Sequence, residues 1–168
     1  MRNGGKILII LGVDPGLATV GYGVVKYERN RFATLDYGVV STPAKIPVPV
    51  RLEMIYKGIS EICERWSPDD LAIEKLYFNT NQKTVIDVCQ ARGVAMLAAQ
   101  LSRLEIYEYT PLQIKQAIVG YGRAEKMQVM TMVKGILELE KLPRPDDAAD
   151  GLAVAICHAH SKSIVKLM

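Results

Sequence analysis

The apolar positions recur with a period that changes along the chain, and each change predicts an element. Ile7 to Val13 is an unbroken apolar run, the pattern of a strand buried on both faces. Gly21–Tyr27 and Phe32–Ser41 read as two further strands, joined by a hairpin turn at Arg29-Asn30-Arg31. Three prolines between Pro43 and Pro49 mark a connection. Leu52, Ile55, Tyr56, Ile59, Ile62 and Cys63 then fall at helical spacing, which predicts a helix over Val50–Trp66 closed by Ser67-Pro68. Leu71–Glu74 is a short buried strand, Asn81–Leu101 an alanine-rich helix and Ile106–Tyr109 another short strand. Pro111 opens a helix at its first turn, where a missing N–H costs nothing. Gly120-Tyr121-Gly122 breaks that helix, and another spans Ala124–Leu139. After the linker Pro143-Arg144-Pro145, Asp146 is placed to cap a last apolar helix. The order β-β-β-α-β-α-β-α-α-α predicts an α/β fold, a mixed central sheet of about five strands with helices on both faces.

At 168 residues the chain is expected to form a single domain, 1–168. With 49% hydrophobic and 23% charged residues it has material for a core, and global disorder is excluded. A net charge of +3 speaks against a uniformly basic coat but leaves room for a local basic groove. Cys63, Cys89 and Cys157 form no CxxC pair, which argues against a disulfide framework or structural zinc and predicts buried free thiols. The apolar run at the N-terminus is too short for a signal peptide and ends at Asp14-Pro15. No run approaches the ~20 apolar residues that span a bilayer. A cytoplasmic location is expected.

The acids carry the chemistry. Asp14 ends the most apolar strand, Glu74 ends the second buried strand, and Asp147 and Asp150 share one face of the last helix. Singly, each has an ordinary explanation: an Asx turn, a solvated strand end, a favourable helix-dipole position. Together they place acids from remote segments at the ends of buried elements, where repulsion raises their pKa values unless a cation intervenes. Oxygen ligands alone suit Mg²⁺ or Mn²⁺. Gly120 to Glu125 resembles a dinucleotide fingerprint but lacks the third glycine and the preceding strand. Cys157, His158 and His160 are set aside as a metal cluster, and Met127, Met130 and Met132 as packing residues.

Asp14-Pro15-Gly16, Gly21-Tyr22-Gly23, Ala72-Ile73-Glu74, Gln90-Ala91-Arg92-Gly93, Ala124-Glu125-Lys126 and Asp147-Ala148-Ala149-Asp150 stand in one order from about Leu8 to His160. In this series the chain resembles the RuvC family, bacterial Holliday-junction resolvases of ribonuclease-H-like fold. The resemblance implies a homodimeric, structure-selective endodeoxyribonuclease of homologous recombination and DNA repair. Such an enzyme cuts a four-way junction by paired symmetric nicks, leaves 5′-phosphate and 3′-hydroxyl ends, and works with the RuvA–RuvB branch-migration complex. It implies catalytic and metal-binding roles for Asp14, Glu74, Asp147 and Asp150. It also implies base stacking by Tyr77 and functional lysines at Lys115 and Lys126. Some family members carry histidine near the third acidic position, where this chain keeps aspartate; Val20 replaces a common threonine at a position that is not a ligand.

Two Mg²⁺ ions about 4 Å apart would straddle the scissile phosphate, one activating water and the other stabilising the leaving oxygen, with Mn²⁺ able to substitute. Asp14 is expected to bridge both ions; whether Asp147 or Asp150 binds directly stays open. Arg123 is a further phosphate-contact candidate. The helix over Asn81–Leu101 carries small residues at Ala91, Gly93, Ala95, Ala98 and Ala99, which make it the expected dimer surface. Two other readings stay open: a related ribonuclease-H-like nuclease acting on RNA, and a junction-binding module without catalysis, which the presence of all four acids opposes.

Overall fold

In the computed structural model, residues 7–76 and 82–165 are described. They form β1 (Leu8–Asp14), β2 (Thr19–Glu28), β3 (Arg31–Ser41), α1 (Val48–Trp66), β4 (Asp70–Glu74), α2 (Gln82–Leu101), β5 (Glu105–Tyr109), α3 (Pro111–Val119), α4 (Lys126–Ile136) and α5 (Asp146–Val165). The five strands lie in the order β3-β2-β1-β4-β5. β1 pairs antiparallel with β2, and β2 with β3; β1 and β4 are parallel, as are β4 and β5. The sheet is therefore mixed, with the unbroken apolar run of β1 at its centre.

Local chemistry accounts for the boundaries. Arg29 and Asn30 both have positive φ (50° and 63°), the two-residue turn whose twist matches an antiparallel ribbon. Ser67 ends α1 in the left-handed region, its N–H bonded to the Cys63 carbonyl. α1 begins at Val48, two residues before the expected start, because Pro49 is tolerated in a first turn. α4 is shorter than the expected Ala124–Leu139. At its start the Gln128 side chain accepts from the Glu125 N–H at 2.9 Å, which puts Glu125 outside the helix; at its end Glu138 turns left-handed, with φ 52°. Among the described residues no helix is long and apolar enough to cross a membrane.

The core is double. On one face of the sheet, α3, α4 and α5 bury Ile10, Val25, Ala72, Val129, Leu152 and Ile156. On the other, α1 and α2 bury Leu11, Val13, Ile55, Ile59, Ile73 and Ala95. The small side chains of α2 give the first correction. Ala91, Ala95, Ala98 and Ala99 are buried in this second core, where they let α2 lie close to α1, so they are not a dimer surface. The outward face of α2 carries Ile86, Gly93, Leu97 and Leu101 instead, the three large residues being 59%, 52% and 62% exposed. Cys89 is also exposed, unlike the buried Cys63 and Cys157. Of the three methionines expected to pack, Met130 is buried, while Met127 and Met132 are exposed.

α5 lies directly on β1 and β2 because glycines leave room for it. A Cβ on Gly12 would sit 2.1 Å from the Gly151 carbonyl oxygen, and one on Gly21 1.9 Å from that of Asp147. Further down α5, the fully buried His158 ring holds Asp70 Oδ2 at 2.7 Å through Nε2 and the Tyr109 hydroxyl at 2.6 Å through Nδ1. Lys162 Nζ reaches the same Asp70 oxygen at 2.5 Å. His158 is thus a structural tie between α5 and the two strands β4 and β5.

Candidate active site

Strand parity decides which side chains meet. Asp14 follows Ile10 and Gly12 on the face of β1 that α5 covers, and Glu74 follows Ala72 on the same face of β4. Val13 is in register with Ile73 in the parallel pair, so the next residues, Asp14 and Glu74, leave adjacent strands at their carboxyl ends. That is the edge where open α/β sheets bind ligands. α5 begins above this edge. Its first turns bring Asp147 and Asp150 to Asp14, and the bare Cα of Gly21 allows the approach.

One carboxylate oxygen each from Asp14, Asp147 and Asp150 lies within 4.8 Å of the others. Asp14 and Glu74 are close enough to share a hydrogen bond. Burial, then the charges of Glu74, Asp150 and Asp147, push the Asp14 carboxyl up to about 8. Burial also raises Glu74, against the opposing effects of the Asp14 hydrogen bond and Lys115. Asp150 is raised by burial despite the ammonium of Lys126, with Asp147 and Asp146 adding to the repulsion. Acids that hold protons so tightly are a cluster short of positive charge. Their all-oxygen donor set fits a hard divalent cation.

The expected cations stand beside them. A cavity of about 240 Å³ between α3, α4 and α5 is lined by Glu74, Lys115, Lys126 and Asp150 over an apolar floor that includes Ile114 and Val129. Lys126 Nζ lies 3.4 Å from Asp150 and 3.6 Å from Asp146. Burial works against its charge, but the Asp150 and Asp146 carboxylates outweigh that and raise its pKa. Lys126 opens α4 with Glu125 as its cap, so free N–H groups of the first turn accompany its charge. Arg123 is exposed in the loop leading into α4, outside the cavity lining. Tyr77 lies outside the described residues.

Two neighbours of the site escaped the sequence reading. Asp146, expected only as a cap, is the first residue of α5 and pairs with both Lys126 and Arg144. Its place beside Asp147 was the available signal. Arg92 of α2 donates from Nε to the Glu74 main-chain carbonyl at 3.2 Å. Nothing in residue spacing marks a contact to a backbone atom eighteen positions away.

The chain also has known relatives. Residues 10–158 match the family model described as crossover junction endodeoxyribonuclease RuvC. The chain is 58% identical over 154 residues to the crossover junction endodeoxyribonuclease RuvC of Alkaliphilus metalliredigens, covering 92% of this chain and 94% of that one. It is 54% identical over 161 residues to that of Clostridioides difficile, covering 96% and 95%. Among solved structures it is similar to Thermus thermophilus RuvC in complex with Holliday junction substrate, with a TM-score of 0.89 and 34% identity over 94% of this chain and 96% of that one. The yeast mitochondrial Holliday junction resolvase Ydc2, at 12% identity and a TM-score of 0.71, shares the fold. A ribonuclease-H-like sheet that gathers four acids at its central edge, matched over nearly its whole length, places the chain in the RuvC family of crossover junction endodeoxyribonucleases, which are metal-dependent nucleases.

Proposed function

We propose that this chain resolves four-way DNA junctions as a homodimer, by paired symmetric hydrolytic nicks that leave 5′-phosphate and 3′-hydroxyl ends. The observation that carries the reading is the convergence of Asp14, Glu74, Asp147 and Asp150 at one sheet edge beside Lys115 and Lys126. Asp14, Asp147 and Asp150 would hold Mg²⁺, two ions per site with Mn²⁺ as a substitute, and Glu74 would complete the set. Bound there, the metal supplies an activated water and neutralises charge on the phosphate.

The protein's own groups do the rest. Asp14 sits on the most central strand, so its carboxylate has the least positional freedom and fixes the centre of the site. Lys126 pairs with Asp150 and is placed to turn to a phosphate. Lys115 lines the same cavity as Glu74, and its charge favours the Glu74 carboxylate. Arg123 and Tyr77 remain proposed DNA contacts, for a phosphate and a base. The partner that presents the junction is proposed to be the RuvA–RuvB complex, in the cytoplasm. The outward stripe of α2, Ile86, Gly93, Leu97 and Leu101, is the proposed dimer face.

Asp14→Asn tests the site. The variant is expected to bind a synthetic four-way junction like the wild type and to nick it about 10³-fold more slowly in Mg²⁺, a loss of about 4 kcal/mol of transition-state stabilisation. Near-normal nicking by Asp14→Asn would overturn the assignment.

A further inference from the structure

Of the motif Gln90-Ala91-Arg92-Gly93, Arg92 touches the site, through the Glu74 main-chain carbonyl. Arg92 is largely sheltered, its side chain 18% exposed, and its guanidinium makes two directed contacts. Nε donates to the main-chain carbonyl of Glu74 at 3.2 Å, and Nη2 pairs with Glu108 on β5. Glu74 is the last residue of β4, and its carbonyl sits where the ladder to β1 has already ended, since the final β1–β4 pair is Val13 with Ile73. A sheltered carbonyl at a strand end needs a donor, and Arg92 supplies it from α2.

The geometry is two-sided. The Glu74 side chain leaves the sheet on the α5 face, toward Asp14 and Asp150. Arg92 grips the same residue's peptide group from the α2 face. Glu108 is in register with Ile73, one position before Glu74, so the guanidinium is held at the level of the peptide it grips. On the β5 side, the Lys75 N–H, the other half of that same peptide, bonds the Tyr109 carbonyl at 2.8 Å. The Glu74–Lys75 peptide is thus held at both its carbonyl and its N–H, just beyond the Cα whose carboxylate faces Asp14 and Asp150.

We propose that Arg92 is a positioning residue for the nuclease reaction: its guanidinium, oriented by Glu108, clamps the Glu74 peptide and so aims the Glu74 carboxylate at the metal. The inference rests on the reading of Glu74 as a metal ligand. A planar fork serves both partners at once, which a lysine ammonium does not. Outer-shell groups that orient ligands typically carry 10–100-fold of metal affinity or activity.

The experiment compares Arg92→Gln, Arg92→Lys and Glu74→Gln with the wild type in four measurements. These are Mn²⁺ affinity by titration calorimetry without DNA, junction affinity without divalent ions, the single-turnover nicking rate at saturating junction, and the melting temperature. Arg92→Gln is expected to weaken Mn²⁺ binding and slow nicking by about 10-fold or more, with junction affinity and melting temperature close to wild type. Arg92→Lys, which keeps the charge but loses the planar fork, is expected to fall between. Wild-type Mn²⁺ affinity in both arginine variants would overturn the proposal. So would a loss of melting temperature with unchanged Mn²⁺ affinity in the folded fraction, which is the signature of a merely structural contact. If Arg92→Gln does not fold, the same two criteria apply to Arg92→Lys. Wild-type Mn²⁺ affinity in Glu74→Gln would instead overturn the site reading itself, and the role of Arg92 with it.

Discussion

Asp14 shows how much one side chain depends on its neighbours. Asp-Pro-Gly at the end of an apolar strand is compatible with a simple turn; burial, and then the approach of Glu74, Asp150 and Asp147, makes its carboxyl hold a proton up to about 8. Because the folded value lies above the unfolded value of about 4, this group favours the fold fully below about pH 4 and loses that contribution as pH rises toward 8. With chelator present, the melting temperature of the wild type relative to Asp14→Asn is therefore expected to decline from pH 5 to pH 8. Added Mg²⁺ should reverse the decline, since the cation takes the place of the proton. A difference that stays flat across this range would contradict the crowding of charge around Asp14. The four acids were legible in the sequence because Asp14 and Glu74 end strongly patterned strands and Asp147 and Asp150 stand at the start of a strongly patterned helix. The Arg92 clamp was not, because it ends on a main-chain atom and leaves no trace in the order of side-chain types.

Among the elements, α5 decides whether the acids meet. Its seat on β1 and β2 is cut to the backbone: the Gly21 Cα faces the Asp147 carbonyl with no room for a methyl group. Gly21→Ala is expected to lift the first turn of α5 and slow nicking by about 100-fold, since a displacement near 1 Å is enough to spoil a reacting geometry. It should also lower stability by about 1–3 kcal/mol through overpacking, read from denaturant unfolding. The element order and the alternation of strand faces could be read from the period of apolar residues, and the hairpin from Arg29-Asn30. The alanines of α2 were misread because small residues permit close approach to any helix, and periodicity does not say whether that helix is α1 or a second copy. The shortened α4 followed from a side-chain cap at Glu125 and the left-handed Glu138, both of which depend on backbone angles rather than on pattern.

At the scale of the whole molecule, a net charge of +3 is modest, so the proposed attraction for DNA rests on local cations, Lys115 and Lys126 in the cavity and Arg123 in the loop before α4. Junction affinity is expected to fall steeply between 50 and 200 mM salt as phosphate contacts release counterions, and a nearly flat response in a binding titration would speak against these residues as contacts. Pairing of two copies is expected to depend on the outward stripe of α2. Leu97→Asp should give a monomer in sedimentation velocity, and should convert a supercoiled cruciform plasmid mainly to the nicked rather than the linear form, because opposed strands are no longer cut within one complex. The sheet separates these duties. The acids sit over the core shared with α5, and the stripe lies beyond the core shared with α1. Apart from the Arg92 contact at the end of β4, the strands stand as a partition wall: damage to the proposed mating surface should leave the ion-holding chamber intact. Solitary Leu97→Asp subunits should titrate Mn²⁺ with wild-type affinity, so that synchrony between cuts and competence to cut can be lost one without the other.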